Sequence, residues 1–302
     1  MAYKWEIGEK IPDGIERLMK ELVDFTLEQL KDESNDRDEA VHDARKSFKK
    51  LRAILRLVRF EIGEEEYQKQ NMFYRDLARQ LSPLRDAFVL VEIMDNLIKE
   101  LDDKDLKKVA KIIRKDLNSE FLKTKEAFWS TGEAVSEVIA ALEAERDKVG
   151  QIGIERDSFK VFQKGLDKIY RQGQGRMEIA YANVPASEGF HDWRKRVKYL
   201  WYQLRIIESV YPAELVAINN QLDQLSDLLG NAHDLAVLYE KIEDHPETQD
   251  GTGRQLLAYL DHKRGELEAS ARPFGEAIYT MDSKDFIKQI KNWWKNPEPI
   301  LA

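Results

Sequence analysis

The chain has 302 residues, of which 42% are hydrophobic and 34% charged, and its net charge at neutral pH is −8. It contains no cysteine, which excludes disulfides, thiol catalysis and cysteine-ligated metal sites. No apolar run approaches the roughly 18 residues of a transmembrane helix. Residues 1–10 lack the apolar segment of a signal peptide, so we expect a cytoplasmic protein without membrane contact.

Helical periodicity runs through nearly every long segment, whereas the alternation typical of strands is absent. Apolar residues recur at helical spacing after Pro12, and Asp36 is placed to cap the next helix. We therefore predict an all-α fold. The predicted helices lie at about residues 12–30, 37–61, 64–81, 83–101, 103–130, 134–147, 159–181, 190–210, 213–229, 232–243, 255–280 and 284–294.

One stretch, residues 147–158, interrupts this pattern. It contains two glycines and has no clear helical period. We predict that it separates two helical-bundle halves, residues 1–150 and 151–302, each long enough to bury a core.

The two halves are related in sequence. HDARKSFKKL (42–51) matches HDWRKRVKYL (191–200) at an offset of 149 residues. Further along, LSPLRDAFVL (81–90) matches LGNAHDLAVL (229–238) at an offset of 148. Two separate blocks at nearly the same offset indicate a duplicated helical bundle, because a solenoid repeat would be much shorter.

The first matching block lies on two strongly basic helices. Residues 42–59 hold seven Arg or Lys and one acid, and residues 191–205 hold five and one. On a helical wheel the cations of each helix share one face and the apolar residues lie opposite. The cationic faces carry Arg45, Lys46, Lys49, Arg52, Arg56 and Arg59 on the first helix, and His191, Arg194, Lys195, Lys198 and Arg205 on the second.

The charge pattern on these faces differs from that of an ordinary solvated helix. Like charges three or four residues apart are destabilising, so exposed faces usually mix signs. Arg45 with Lys49 and Arg52 with Arg56 are instead like-charge neighbours, and the arrangement occurs in both halves. We interpret the two faces as binding surfaces for a polyanion, since a row of cations requires a row of anions.

Several segments resemble the CHAD family, the conserved histidine α-helical domain. VHDARKSFKKLRAILRLVR and FHDWRKRVKYLWYQLRIIE resemble its two basic helices, and LARQLSPLRDAFVLVE and LLGNAHDLAVLYE resemble the element after each. YRQGQGRME resembles the segment before the second basic helix, and LDHKRGELEASARPFGEAIYTMDSKDFIKQIKNWW resembles the C-terminal end. The resemblance implies two four-helix bundles related by a pseudo-twofold axis. It also implies non-catalytic binding of inorganic polyphosphate in a basic groove or cavity, with no cofactor.

Carried onto this sequence, the resemblance implies binding residues in both halves. The implied partner is inorganic polyphosphate, and with it polyphosphate granules or polyphosphate-metabolising enzymes. Trp201 stands where the first half has Arg52, and His233 stands where it has Arg85, so we expect the first basic helix to dominate. The implied binding residues are His42, Arg45, Lys46, Lys49, Arg52, Arg56, Arg79, Arg85, Arg171, Arg176, His191, Arg194, Lys195, Lys198, Lys263 and Arg264.

Three other functions fit parts of the sequence. His-Asp occurs at 42–43, 191–192 and 233–234, as in metal-dependent phosphohydrolases, but the adjacent cations would repel a metal ion, so we expect no metal site. Trp201 and Tyr202 could stack on nucleic-acid bases, although the acidic net charge argues against nucleic acid. The third alternative is a scaffold that binds an acidic protein segment.

Overall fold

The computed structural model describes residues 3–182 and 186–297. Within these residues it has eleven α-helices, three short 3-10 helices and no strand, so the all-α prediction is confirmed. The α-helices are α1 Ile11–Lys31, α2 Arg37–Ile62, α3 Glu64–Gln80, α4 Ser82–Glu100, α5 Lys104–Thr131, α6 Glu133–Glu145, α7 Lys160–Tyr181, α8 Ala186–Ile207, α9 Pro212–Ile242, α10 Gly251–Ile278 and α11 Ser283–Lys295. None of them combines the length and apolar character needed to cross a bilayer.

Local sequence signals account for where several of these helices begin. The Asp36 carboxylate accepts hydrogen bonds from the backbone amides of Asp38 and Glu39, so it caps α2 as predicted. Asp103 caps α5 in the same way. Pro83 lies in the first turn of α4, where a missing amide proton costs nothing.

The two halves differ at one helix boundary, where the break predicted from the sequence of the second half is wrong. We predicted separate helices at 213–229 and 232–243, but α9 runs without a break across Gly230. The equivalent stretch of the first half is divided between α3 and α4 next to Pro83. Proline cannot continue a helix from the preceding turn, whereas Asn231, its counterpart at offset 148, keeps its amide donor.

The apolar faces of the two basic helices form the centre of one core. Phe48, Leu51 and Ile54 of α2 are fully buried, as are Val197 and Leu200 of α8, which confirms the helical-wheel prediction. Helix α2 packs against both α7 and α8, α4 packs against α9, and α5 packs against α10. The chain between 149 and 158 forms no helix and leads into α7.

Helices α2 and α8 cross near Ala53, whose carbonyl oxygen accepts a hydrogen bond of 3.3 Å from the side chain of Gln203. Around this crossing, side chains at equivalent positions of the two helices interact. The Arg56 guanidinium lies 4.0 Å from the centre of the Tyr199 ring. Lys50 and Arg205 are the residues equivalent to Tyr199 and Arg56. The pKa of Lys50 is lowered to about 8 by burial and by the charges of Lys46 and Arg205. Such an arrangement is expected of two helices related by an approximate twofold axis.

Candidate anion-binding site

A cavity of about 580 Å³ lies between α2, α4, α8 and α9, beside the crossing of the two basic helices. Its lining contains six Lys or Arg side chains and two histidines, drawn from both halves of the chain. These residues are His42, Arg45, Lys46 and Lys49 of α2, Arg85 of α4, Arg194 and Lys198 of α8, and His233 of α9.

Helical geometry explains why these cations meet. Arg45 and Lys49 lie one turn apart on α2, and Arg194 and Lys198 occupy the equivalent positions on α8. The opposite faces of both helices are anchored in the core by their buried apolar side chains. Because the helices cross close by, their cationic faces are turned toward a shared space.

Lys49 lines the cavity, and solvent reaches its side chain. Burial, together with the positive charges of Arg45, Arg194 and Lys198, lowers its pKa to about 8. Within the described residues Lys49 makes no hydrogen bond and no ion pair with a carboxylate. Its ammonium therefore has room for an anionic ligand.

Lys198 is the counterpart of Lys49 in the second half, and its surroundings are different. Burial and Arg194 lower its pKa, whereas the carboxylates of Asp227 and Asp223 act in the opposite direction. Its ammonium also lies 4.9 Å from the centre of the Trp201 ring. The surroundings of Lys198 are thus more acidic and more aromatic than those of Lys49.

Two arginines of the cavity already have partners. Arg45 donates to the Asp86 carboxylate at 3.1 Å and to the Leu81 carbonyl oxygen at 3.3 Å. Arg85 donates to Glu92 at 3.2 Å. These partners reduce the repulsion that the sequence suggested along α2. A bound polyanion would have to compete with Asp86 and Glu92.

Arg52 and Arg56, which continue the cationic row of α2, do not line the cavity. Arg52 donates to the Asn71 side chain at 3.1 Å. Arg56 donates to the carbonyl oxygen of Arg52 and stacks on Tyr199. Arg79 of α3 also lies outside the lining and pairs with Asp76 at 3.7 Å. The cationic row of α2 therefore lines the cavity only from His42 to Lys49.

The other predicted binding residues lie away from the cavity lining. Arg171 pairs with Asp167 in a separate groove between α7 and α11. Lys263 pairs with a glutamate of α4 and lines a second cavity, which shares four lining residues with the first: Arg85, Val89, Ile93 and Asp234. Arg264 bonds to Asp261 within α10. Arg176 and Lys195 both pair with Asp192, and neither lines the cavity.

The three histidines of the His-Asp pairs have lowered pKa values. Burial lowers the pKa of His42 and His191, assisted by nearby arginine and lysine side chains. Burial and His191 lower the pKa of His233 to about 4, and the two rings lie 4.2 Å apart. At neutral pH all three are uncharged, so each can donate one hydrogen bond to an anion but adds no positive charge. His191 does not line the cavity, but its Nδ1 is buried without a partner.

One group of side chains in the described part of the chain has donor atoms close enough to hold a metal ion. The donor atoms of Glu39, His42 and Asp43, on successive turns of α2, lie within 4.8 Å of one another. Arg85 and Lys46 lower the pKa of His42 from nearby and would oppose a cation there. The group would offer mixed nitrogen and oxygen ligands.

The sequence reading missed a third basic surface. Lysines at helical spacing on α5 line an open groove beside Ile112, and none of them forms an ion pair within the described residues. Residues 104–115 hold six Lys or Arg and one acid, so the charge count used for the first two helices would have identified it. These lysines are Lys104, Lys107, Lys108, Lys111 and Lys115.

Comparison with known proteins gives a consistent picture. A family model described as the CHAD domain matches residues 19–243, from α1 to just beyond α9. The crystal structure of the CHAD domain from the plant Ricinus communis has a similar fold, with a TM-score of 0.59 and 15% sequence identity. That similarity covers 99% of this chain and 97% of the plant chain. No curated protein matches the chain significantly.

Proposed function

The chain belongs to the CHAD domain family, and on that premise we propose that it binds inorganic polyphosphate, without catalysis, in the cavity between α2, α4, α8 and α9. One observation carries the proposal: both basic helices contribute cations to one cavity, where they lower the pKa of Lys49 to about 8. Concentrated, partly uncompensated positive charge favours a ligand with closely spaced negative charges. The cavity would hold part of the polymer, which would recruit the protein to cytoplasmic polyphosphate granules or to enzymes acting on polyphosphate.

The aromatic residues of the cavity give little support to nucleic-acid binding. Tyr202 is only 4% exposed, so its ring is not free to stack on a base. Trp201 already has the cations of Lys198 and Arg205 over its ring, at 4.9 and 5.1 Å from the ring centre. Base stacking needs an accessible aromatic face. A polyanion without bases fits these surroundings better.

A second candidate function, that of a metal-dependent phosphohydrolase, has one observation in its favour. Glu39, His42 and Asp43 are close enough to ligate a metal ion at the first basic helix. Their neighbours Arg85 and Lys46 are cationic, which opposes a metal and favours a phosphate. We therefore prefer binding, and the two functions differ in whether polyphosphate is consumed.

The test is a competition experiment with the purified chain at low salt. Labelled long-chain polyphosphate is displaced by unlabelled polyphosphate, single-stranded RNA or poly-glutamate, in EDTA and again with Mg²⁺ or Mn²⁺. The proposal predicts direct binding in EDTA, displacement by polyphosphate well before either competitor, and intact polymer after incubation. Stronger displacement by RNA or poly-glutamate would contradict it. Polyphosphate shortening that requires Mn²⁺ would favour the hydrolase.

A further inference from the structure

The two halves of the chain differ in charge at equivalent positions outside the cavity lining. At the offset of 148, Arg75 and Arg79 of α3 correspond to Asp223 and Asp227 of α9. The register is supported by the matched buried pairs Asn71 with Asn219, Leu77 with Leu225 and Leu81 with Leu229. A pair of arginines has therefore been replaced by a pair of aspartates on the same face of equivalent helices.

The aspartate pair faces the basic helix of the second half. Asp223, Asp227, Gly230 and Asp234 follow one another at helical spacing along one face of α9. A Cβ atom at Gly230 would lie 3.6 Å from the Arg194 Nε, so this face lies directly against α8. Asp234 at the end of the row lines the cavity. Asp223 and Asp227 are placed beside the cations of α8.

Neither aspartate is neutralised by an ion pair within the described residues. Burial and the charge of Asp223 raise the pKa of Asp227, although Lys198 and Arg194 act against this shift. Both carboxylates stabilise the protonated form of Lys198. The α9 end of the cavity thus presents unpaired negative charge to any anion that extends past Lys198.

The equivalent end in the first half is cationic. Arg75 and Arg56 contribute to lowering the pKa of Arg52, although burial is the main cause. Arg52, Arg75 and Arg79 all act on Asp76, whose pKa they lower, so three arginines surround one carboxylate. An anion that leaves the cavity at the α3 end therefore meets a net positive cluster, whereas at the α9 end it meets Asp223 and Asp227.

We propose that polyphosphate extends out of the cavity at the α3 end rather than at the α9 end, because Asp223 and Asp227 repel it from the α9 end. The inference rests on the proposed function and adds to it a direction: a bound chain occupies the cavity and continues over α2 and α3. The two aspartates are specificity determinants that set the footprint of the polymer without binding it.

The test compares a long chain with tripolyphosphate, which is too short to extend far beyond the cavity. Asp223→Asn with Asp227→Asn is expected to tighten long-chain binding by about three- to tenfold. Glu133→Gln with Glu137→Gln on α6 is the matched control, since these exposed carboxylates are also four residues apart and removing them changes the net charge equally. The control is expected to change affinity by less than about twofold.

Replacing the two aspartates by arginines gives a second, independent test. Asp223→Arg with Asp227→Arg recreates the first-half pattern and opens a second exit, so the salt dependence for long chains should steepen by about 1.4 in log K against log salt. Arg75→Gln with Arg79→Gln should weaken long-chain binding and leave tripolyphosphate unchanged. An aspartate variant that matches the α6 control would overturn the inference while leaving the proposed function intact. A wild-type chain that binds neither ligand would instead overturn the proposed function.

Discussion

Lys49 of α2 and Lys198 of α8 occupy equivalent positions 149 residues apart, line the same cavity, and interact electrostatically, since Lys198 helps to lower the pKa of Lys49. Neither forms an ion pair with a carboxylate within the described residues. Most arginines near them have protein partners. A ligand can therefore neutralise the two lysines without first breaking an ion pair.

Binding should weaken as the pH rises through about 8. The folded-state pKa of Lys49 is about 8, below its ordinary value of 10.5, so the ammonium loses its proton in the empty protein above that pH. A bound phosphate favours the charged form of Lys49. Binding should then take up a proton, which calorimetry in buffers of different ionisation enthalpy measures. Lys49→Gln should remove this uptake. An uptake that persists in the variant would contradict the assignment to Lys49.

The same pKa predicts how the stability of the empty protein depends on pH. Between about pH 8 and 10.5 the unfolded chain binds the Lys49 proton more tightly than the folded protein does, so the contribution of Lys49 to the unfolding free energy rises with pH. Lys50, with a pKa also lowered to about 8, adds to the effect. Unfolding in denaturant at pH 7.5 and 9.5 should show a smaller rise for Lys49→Gln than for wild type. Equal rises would contradict it.

Binding should be strongly salt-dependent. The cavity lining holds six Lys or Arg side chains. We assume that each cation neutralises one phosphate and that counterions are released as from single-stranded nucleic acid. The slope of log K against log salt concentration is then about −4. Affinity should then fall by two to three decades between about 50 and 200 mM salt. Filter binding across this range, with EDTA present, checks the slope. A flat response would show that the ligand is not held by these charges.

Asp86 should act as a competitor of the ligand. Its exposed carboxylate holds the Arg45 guanidinium at 3.1 Å, and a phosphate must displace it. Asp86→Asn should therefore tighten polyphosphate binding by about two- to fivefold at low salt. Asp95→Asn is the matched control, because Asp95 lies on the same helix and forms an exposed ion pair with Arg114 at 2.9 Å, away from the cavity. Weaker binding by Asp86→Asn would instead indicate that Asp86 positions Arg45 for the ligand.

Much of the fold could be predicted from the sequence, because helix signals are local. The cap at Asp36, the proline at the start of α4 and the buried faces of the two basic helices all follow from spacing and residue type. The break predicted at Gly230 was wrong, since glycine lowers helix stability without preventing a helix that packs on both sides.

The candidate site could be predicted only in part. Which residues share a helix face follows from the sequence, and this placed Arg45 with Lys49 and Arg194 with Lys198. Which part of a face lies beside a cavity depends on how the helices pack, and Arg52 and Arg56 instead contact Asn71 and Tyr199, outside the lining. The hydrogen-bond partners of Arg45 also come from a distant segment of the chain. The helical wheel of α2 alone therefore overestimated the repulsion between Arg45 and its cationic neighbours.

The most direct test of the central claim is the polyphosphate affinity of Lys49→Gln with Lys198→Gln, measured beside Lys107→Gln with Lys111→Gln. Both variants remove two lysines that have no ion pair, but only the first pair lines the cavity. Loss of two charge-assisted contacts predicts an affinity at least about 100-fold lower for the cavity variant, and a change below about threefold for the α5 control. The empty cavity variant should also melt roughly 1–3 °C higher than wild type, which excludes misfolding as the cause. Equal losses in both variants, or an undiminished affinity in the cavity variant, would contradict the account.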